Sequence, residues 1–238
     1  MTKKDLNQNA KYVHELINII EPKFVFNSHP INRFAKKDNL TDSNLNKKDK
    51  LLKLKFRINS IENCALKEQS KNLVLGDGNI NSSIMIIGEA PSADEEKLNL
   101  TFQGDVGKLL EKMFLAISVD LSDIYKTYSI NFRTPEDRKP TTKEIKRYSP
   151  FLKDHVSIIN PKIIILMGST AMESIINSNN KISVERGKWK EIILKNKTYP
   201  IMVTYSPSYL VRYPENKKYS WEDLKKIKKK IQELNINI

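Results

Sequence analysis

The sequence predicts an α/β fold, a three-layer α/β/α sandwich around a central, mainly parallel four-stranded sheet. Three observations carry this. Four apolar or β-branched stretches, residues 84–87, 125–132, 162–167 and 201–204, read as strands. Amphipathic helical stripes separate them, and strands alternating with helices call for parallel strands covered on both faces. Two of the apolar runs, IMII and KIIILM, stop at a glycine, Gly88 and Gly168, and lead towards a helix. Unbroken apolar runs of this length suit strands buried on both faces, although periodicity alone leaves a buried helix segment open.

Taken in order, residues 5–20 place Leu6, Tyr12, Val13, Leu16, Ile17 and Ile20 on one helical face, and Pro22 ends that helix. Residues 27–50 are polar and charged, the composition of a linker. Apolar positions return at intervals of three and four over residues 51–66, predicting a second helix that leads to Cys64. Asp77-Gly78 marks a turn before the first strand. After it, Val106, Leu109, Leu110, Met113, Phe114 and Ile117 form a stripe that packs on a sheet. YKTYSINF alternates as a strand, RTPEDRKPTTKE is a loop punctuated by Pro135 and Pro140, and Thr141 with Glu144 forms a capping box opening a helix to about residue 158. Residues 182–199 read as a hairpin insertion or edge strands, and residues 221–234 as a helix with a strongly basic face. The domain organisation expected is an N-terminal helix and polar linker over 1–50 and one globular domain over 51–238.

Composition narrows the function. Among 238 residues, 41 Lys and Arg oppose 28 Asp and Glu, a formal charge of +13 that favours a polyanionic partner. The abundance of Lys, Asn and Ile throughout leaves a purely compositional origin of that charge open. The single cysteine, Cys64, excludes a disulfide framework or a multi-thiolate site within the chain, and a reducing cytoplasm is the expected setting. His14, His29 and His155 lack metal-ligand spacing and read as ordinary or satisfied histidines. No apolar run approaches the roughly 18 residues of a membrane span.

The candidate site follows from the fold. Ligands bind beyond the carboxyl ends of strands in open α/β sheets. Three such ends bring residues 89–102, 128–138 and 205–212 to one crevice. The first holds Glu89, Asp94, Glu95, Glu96 and a lone Phe102, which taken alone also suit an acidic surface turn.

In order along the chain, GEAPSADEE with TFQGDVGKLL, FRTPEDRKPTTKEI, PKIIILMG, RGKW and TYSPSYLVR resemble the motifs of the family 4 uracil-DNA glycosylases. The resemblance spans about residues 61–224, and the segment PINRFA is similar to the N-terminal extension of an α-proteobacterial branch. It implies excision of uracil, or another deaminated base, from DNA by base flipping and hydrolysis of the glycosidic bond, leaving an abasic site. On that resemblance Glu89 and Glu95 fall on the acidic catalytic positions, Phe102 on the position that stacks on the base, and Ala90 beside it. In SPSYLVR, Tyr209 and Leu210 form the apolar wedge expected to enter the duplex. Ser208, Arg212 and Arg138 are placed to hold phosphates. A monomer acting on DNA is expected, with no membrane.

The chain departs from the family in three places. Ser206 stands where the family carries a histidine that bonds the uracil carbonyl, and losing such a donor costs roughly 3 to 4 kcal/mol unless the serine substitutes. Tyr128 stands where an asparagine reads the base edge. The four cysteines that ligate a [4Fe-4S] cluster in most members align with Ile61, Cys64, Phe132 and Tyr148, so an enzyme without metal, cluster or other cofactor is expected. The Ser206 and Tyr128 changes leave a second expectation, a DNA-binding, damage-sensing protein of the same fold with weak or lost catalysis. Action on a purine such as hypoxanthine is a third.

Overall fold

The computed structural model describes residues 46–178 and 180–236. The helix expected over 5–20 and the PINRFA segment lie outside the described residues. In chain order the elements are α1 (Lys47–Asn59), α2 (Ala65–Gln69), β1 (Gly76–Gly78), β2 (Ile84–Gly88), α3 (Ala93–Leu98), α4 (Gly104–Leu115), β3 (Tyr125–Tyr128), α5 (Thr142–Ile159), β4 (Ile163–Met167), α6 (Ser169–Ile176), α7 (Ile182–Glu185), β5 (Trp189–Leu194), β6 (Lys197–Thr204), α8 (Pro207–Arg212) and α9 (Lys217–Glu233). No helix among the described residues is long and apolar enough to cross a membrane.

Among the described residues the sheet has six strands in the order β1-β3-β2-β4-β6-β5, two more than the central four expected. Its four inner strands are the four read from the sequence, and they are parallel. Both additions are antiparallel edges. Gly76-Asp77-Gly78, expected as a turn, is extended and pairs with β3. β5 is a hairpin arm on β6, closed by Lys195 and Asn196, both at positive φ.

Strand parity divides the core. Ile84, Ile86, Ile163, Ile165 and Met202 point to one face, where Leu110, Met113 and Phe114 of α4 and Leu224, Ile227 and Ile231 of α9 cover them. Met85, Ile87, Ile164, Leu166, Ile201 and Val203 point to the other, against Leu152, Val156 and Ile159 of α5 and Met172 and Ile175 of α6. At about 1.5–3 kcal/mol per large apolar side chain removed from water, these two layers supply the main stabilisation.

Local chemistry sets several boundaries. α1 begins four residues before its expected start, because Asn46 caps it by accepting the Asp49 N–H at 2.9 Å. The expected 51–66 helix breaks into two, interrupted by Ser60 and by Asn63 at φ 50°. The Thr141–Glu144 capping box is present and opens α5. β3 ends four residues short of expectation. There the chain lifts off the ladder as Ser129 bonds the Gly88 carbonyl through both N–H and hydroxyl (2.9 and 2.8 Å). Asn131 turns to the Val74 carbonyl at 3.0 Å and is structural.

His155, on α5, is fully buried, with Nε2 2.8 Å from the Tyr125 hydroxyl and Nδ1 3.5 Å from the Thr127 hydroxyl. Burial pushes its pKa down to about 3. The folded state therefore binds this proton less readily than the unfolded chain, whose histidine titrates near 6.5. Stability from the neutral ring is complete above that pH and is lost as pH falls towards 3. Between pH 7 and pH 5 the wild type should lose about 2 kcal/mol more than His155→Gln, which cannot titrate. Urea unfolding at the two pH values measures this, and equal losses in both proteins would refute it.

Candidate active site

Glu89 follows directly on the carboxyl end of β2, and Gly168 on that of the neighbouring β4. The Glu89 carboxylate crosses between them: Oε1 accepts the Thr170 N–H at 3.0 Å and the Ser169 hydroxyl at 3.4 Å, at the N-terminal end of α6. Negative charge there meets the positive end of the helix dipole. Gly168 has φ +104°, and a Cβ on it would lie 2.3 Å from Glu89 Cδ, so only glycine leaves the carboxylate in place.

A cavity of about 600 Å³ opens over this carboxylate. Ala90 and Glu89 form one side, Arg138 and Lys139 another, and Ser206, Ser208, Tyr209 and Arg212 from the start of α8 the third. The structure thus assembles seven of the residues expected from the sequence: Glu89, Ala90, Arg138, Ser206, Ser208, Tyr209 and Arg212. It adds Gly168, Ser169 and Thr170, which the sequence reading passed over. The signal for them was present, since Gly168 ends the most apolar run of the chain and the rule about strand ends applies to β4 as to its neighbours.

Glu95, Phe102 and Tyr128 do not line the cavity. They form a closed group beside it. Glu95 is buried, and its two oxygens accept the N–H groups of Ser92 (2.7 Å) and Gln103 (3.2 Å). The first is the reach-back half of a capping box on α3. Phe102 adopts φ 50°, a left-handed conformation costly for a bulky residue, and its N–H donates to the Tyr128 hydroxyl at 2.8 Å. The two rings lie 5.0 Å apart, tilted by 40°. A Cβ on Gly88 would come within 2.7 Å of the Tyr128 ring and 2.8 Å of the Phe102 ring. Burial, and then the hydrogen-bonded Glu95 carboxylate, hold the Tyr128 phenol well above its ordinary pKa, so it is neutral. Tyr128 therefore covers Phe102, which is only 7% exposed.

Position corrects one further expectation and adds structural partners to three others. Leu210, expected as half of the wedge, is 1% exposed and packs in the core. Tyr209 is half-buried, stacked between Tyr205 and Tyr213 at 4.9 Å from each. Arg138 is exposed but tied to Glu144 by two hydrogen bonds of 2.7 and 2.9 Å, and this pairing draws the Glu144 carboxyl down to about 2. Ser206 caps α8: its oxygen accepts the Tyr209 N–H at 3.3 Å and lies 3.1 Å from the Ser208 hydroxyl. The cap uses a lone pair of Ser206, so its proton is available to Ser208 or to a ligand.

Known proteins share this chain's sequence pattern. Residues 75–228 match the model of the uracil DNA glycosylase superfamily. A type-4 uracil-DNA glycosylase of Sulfurisphaera tokodaii is 34% identical over 185 residues, covering 76% of this chain and 84% of the relative. The chain belongs to this family. Type-4 uracil-DNA glycosylases of Thermotoga maritima and Archaeoglobus fulgidus are each 31% identical, covering 72% and 71% of this chain and 90% and 87% of those proteins.

Membership overturns the expectation of a protein without cofactor, because the type-4 glycosylases are a family of iron–sulfur enzymes. The residues here do not fit the four-thiolate ligand set. Cys64 is buried with Phe132 and Tyr148 in an apolar cluster against which Ile61 packs, and its sulfur lies 3.1 Å from the Tyr148 hydroxyl. Among the described residues no group of three or more His, Cys, Asp or Glu side chains could hold a metal ion.

Glu95 ties the α3 start to the Phe102 loop, so its removal should cost stability. Glu95→Ala is expected to lower the unfolding free energy by about 2 kcal/mol, from the loss of two charge-assisted hydrogen bonds, the reach-back cap to Ser92 N–H and the bond to Gln103 N–H. Urea denaturation tests this, and a loss below about 0.5 kcal/mol, the scale of an ordinary surface change, would show that the carboxylate holds nothing in place.

Proposed function

We propose that this chain excises uracil from DNA, taking the base out of the stack into the cavity above Glu89 and hydrolysing its glycosidic bond. The observation that carries this reading is the Glu89 carboxylate, fixed at the floor of an open, basic-rimmed cavity in a chain of the glycosylase family. Cleavage of the bond leaves its electron pair on the base nitrogen and positive charge on the sugar. A carboxylate at that place stabilises the sugar cation and accepts a proton from the water that bonds to the anomeric carbon. The Ser206 hydroxyl donates to a base carbonyl as negative charge develops there, a weaker donor than an imidazolium. Arg212, Lys139 and Ser208 at the rim suit the phosphates on either side.

Purified protein incubated with uracil-containing oligonucleotides should produce alkali-sensitive abasic sites. Glu89→Gln should reduce the rate by about 100-fold or more. An unaltered rate in that variant, or no abasic product from the wild type, would sink the proposal. Uracil is the base that the names of the relatives support; hypoxanthine in the same assay tests the wider range.

One observation favours the second reading, a DNA-binding protein with weakened catalysis. Tyr128 occupies the Phe102 N–H and covers the ring on which a base would stack. If that cover limits the reaction, Tyr128→Asn should raise uracil excision by about 10-fold, the worth of roughly 1.4 kcal/mol. An unchanged rate would place the barrier elsewhere.

A further inference from the structure

The cavity wall continues outward as a stack of rings. Tyr205, Tyr209 and Tyr213 follow one another at four-residue spacing along α8 and its two flanks, with successive centroids 4.9 Å apart and planes inclined by 26° and 39°. Tyr205 is buried and Tyr209 half-buried, and both line the cavity. Tyr213 lies outside it and is 48% exposed. The ladder therefore runs from the cavity to solvent and ends on an open ring.

Its inner and middle rungs are held firmly. The Arg186 guanidinium sits 5.5 Å from the Tyr205 ring and 5.3 Å from that of Tyr219. Two hydrogen bonds, of 3.1 and 2.6 Å, join Arg186 to the buried Asp223, which also accepts the Thr204 hydroxyl at 2.8 Å. The Tyr209 hydroxyl accepts from the Asn216 amide at 3.1 Å. Around the outer rung the charge is positive. Residues 205–220 carry Arg212, Lys217 and Lys218 against one carboxylate, Glu215. All four are exposed, and none of the three cations has an ion pair among the described residues. Lys218 lies 5.1 Å over the Tyr219 ring.

Resting on the reading of the cavity as a base pocket, we infer that Tyr213 is a stacking platform for an unpaired nucleotide next to the extracted one, with Arg212 and Lys217 holding its phosphates. A rigid ring with an open face, beside cations and continuous with the pocket, suits a base whose own face is free. Bases within a duplex have both faces covered. The partner is therefore single-stranded DNA, or the unpaired stretch of a damaged site. Positive charge around the ring selects a polyanion over an apolar peptide.

Fluorescence anisotropy with uracil-free single-stranded and duplex oligonucleotides tests this apart from excision. Tyr213→Ala should weaken single-strand binding by about 10-fold, while Tyr213→Phe holds it within about 2-fold and duplex binding changes by less than about 2-fold. Replacing Lys217 by alanine should flatten the dependence of log affinity on log salt by about 0.7 for the phosphate no longer neutralised. Unchanged single-strand affinity in Tyr213→Ala, or an equal loss on duplex, would overturn the platform. So would a self-associated protein that Tyr213→Ala dissociates, which would mean that the ring meets a second copy of the chain. A wild type that shows the predicted single-strand binding but forms no abasic product refutes the excision reading and leaves the platform standing.

Discussion

The hydrogen bond from the Thr170 backbone N–H to the Glu89 carboxylate is the contact on which the cavity depends. It joins the ends of β2 and β4, the two central strands, at the place where their order in the sheet leaves a crevice. Everything needed for it is local to two strand ends. Gly168 keeps a side chain out of the carboxylate's way, and the α6 N-terminus offers N–H groups without intrahelical partners. A carboxylate so held has its position set by the backbone before any ligand enters the cavity. A hydrogen bond to a charged acceptor is worth about 1.5–3 kcal/mol, so the position is also firmly kept.

The second acidic position has a different fate. Glu95 faces inward and spends both oxygens on backbone N–H groups, anchoring the loop that carries Phe102 in its strained conformation. Tyr128 completes that group, and the result is a well-satisfied, closed cluster where an open aromatic face was expected. Ser206 shows the same pattern on the opposite wall. Its hydroxyl closes the first turn of α8 and remains able to donate into the cavity. Tyr128 and Ser206 thus both make structural bonds, and Glu89 is the carboxylate that faces the cavity.

The four inner strands and the capping box of α5 were legible because apolar runs, glycine stops and cap spacing are local signals. The edge strand β1 was not, whereas β5 lies in the segment read as a hairpin insertion or edge strands. Gly76-Asp77-Gly78 has no strand propensity and is extended only because β3 offers it a partner. The same holds within the site. That Glu89, Ala90, Ser206 and Arg212 converge could be reasoned from strand ends, whereas the inward turn of Glu95 and the burial of Leu210 depend on what packs against them. α8 places Leu210 towards α4 and Tyr209 towards the ring ladder, a choice of helix face that its short sequence does not announce.

By itself the sequence determined the α/β class, the order of the inner elements, and the residues that gather at the carboxyl ends of the strands, since these follow from periodicity and from motifs that are continuous in the chain. Only the tertiary structure decided which of those residues face the cavity. Glu89 and Ser206 do; Glu95, Phe102 and Tyr128 close on one another. The reason is physical: a side chain's partners come from segments distant in sequence, and buried polar groups go where backbone N–H groups must be satisfied.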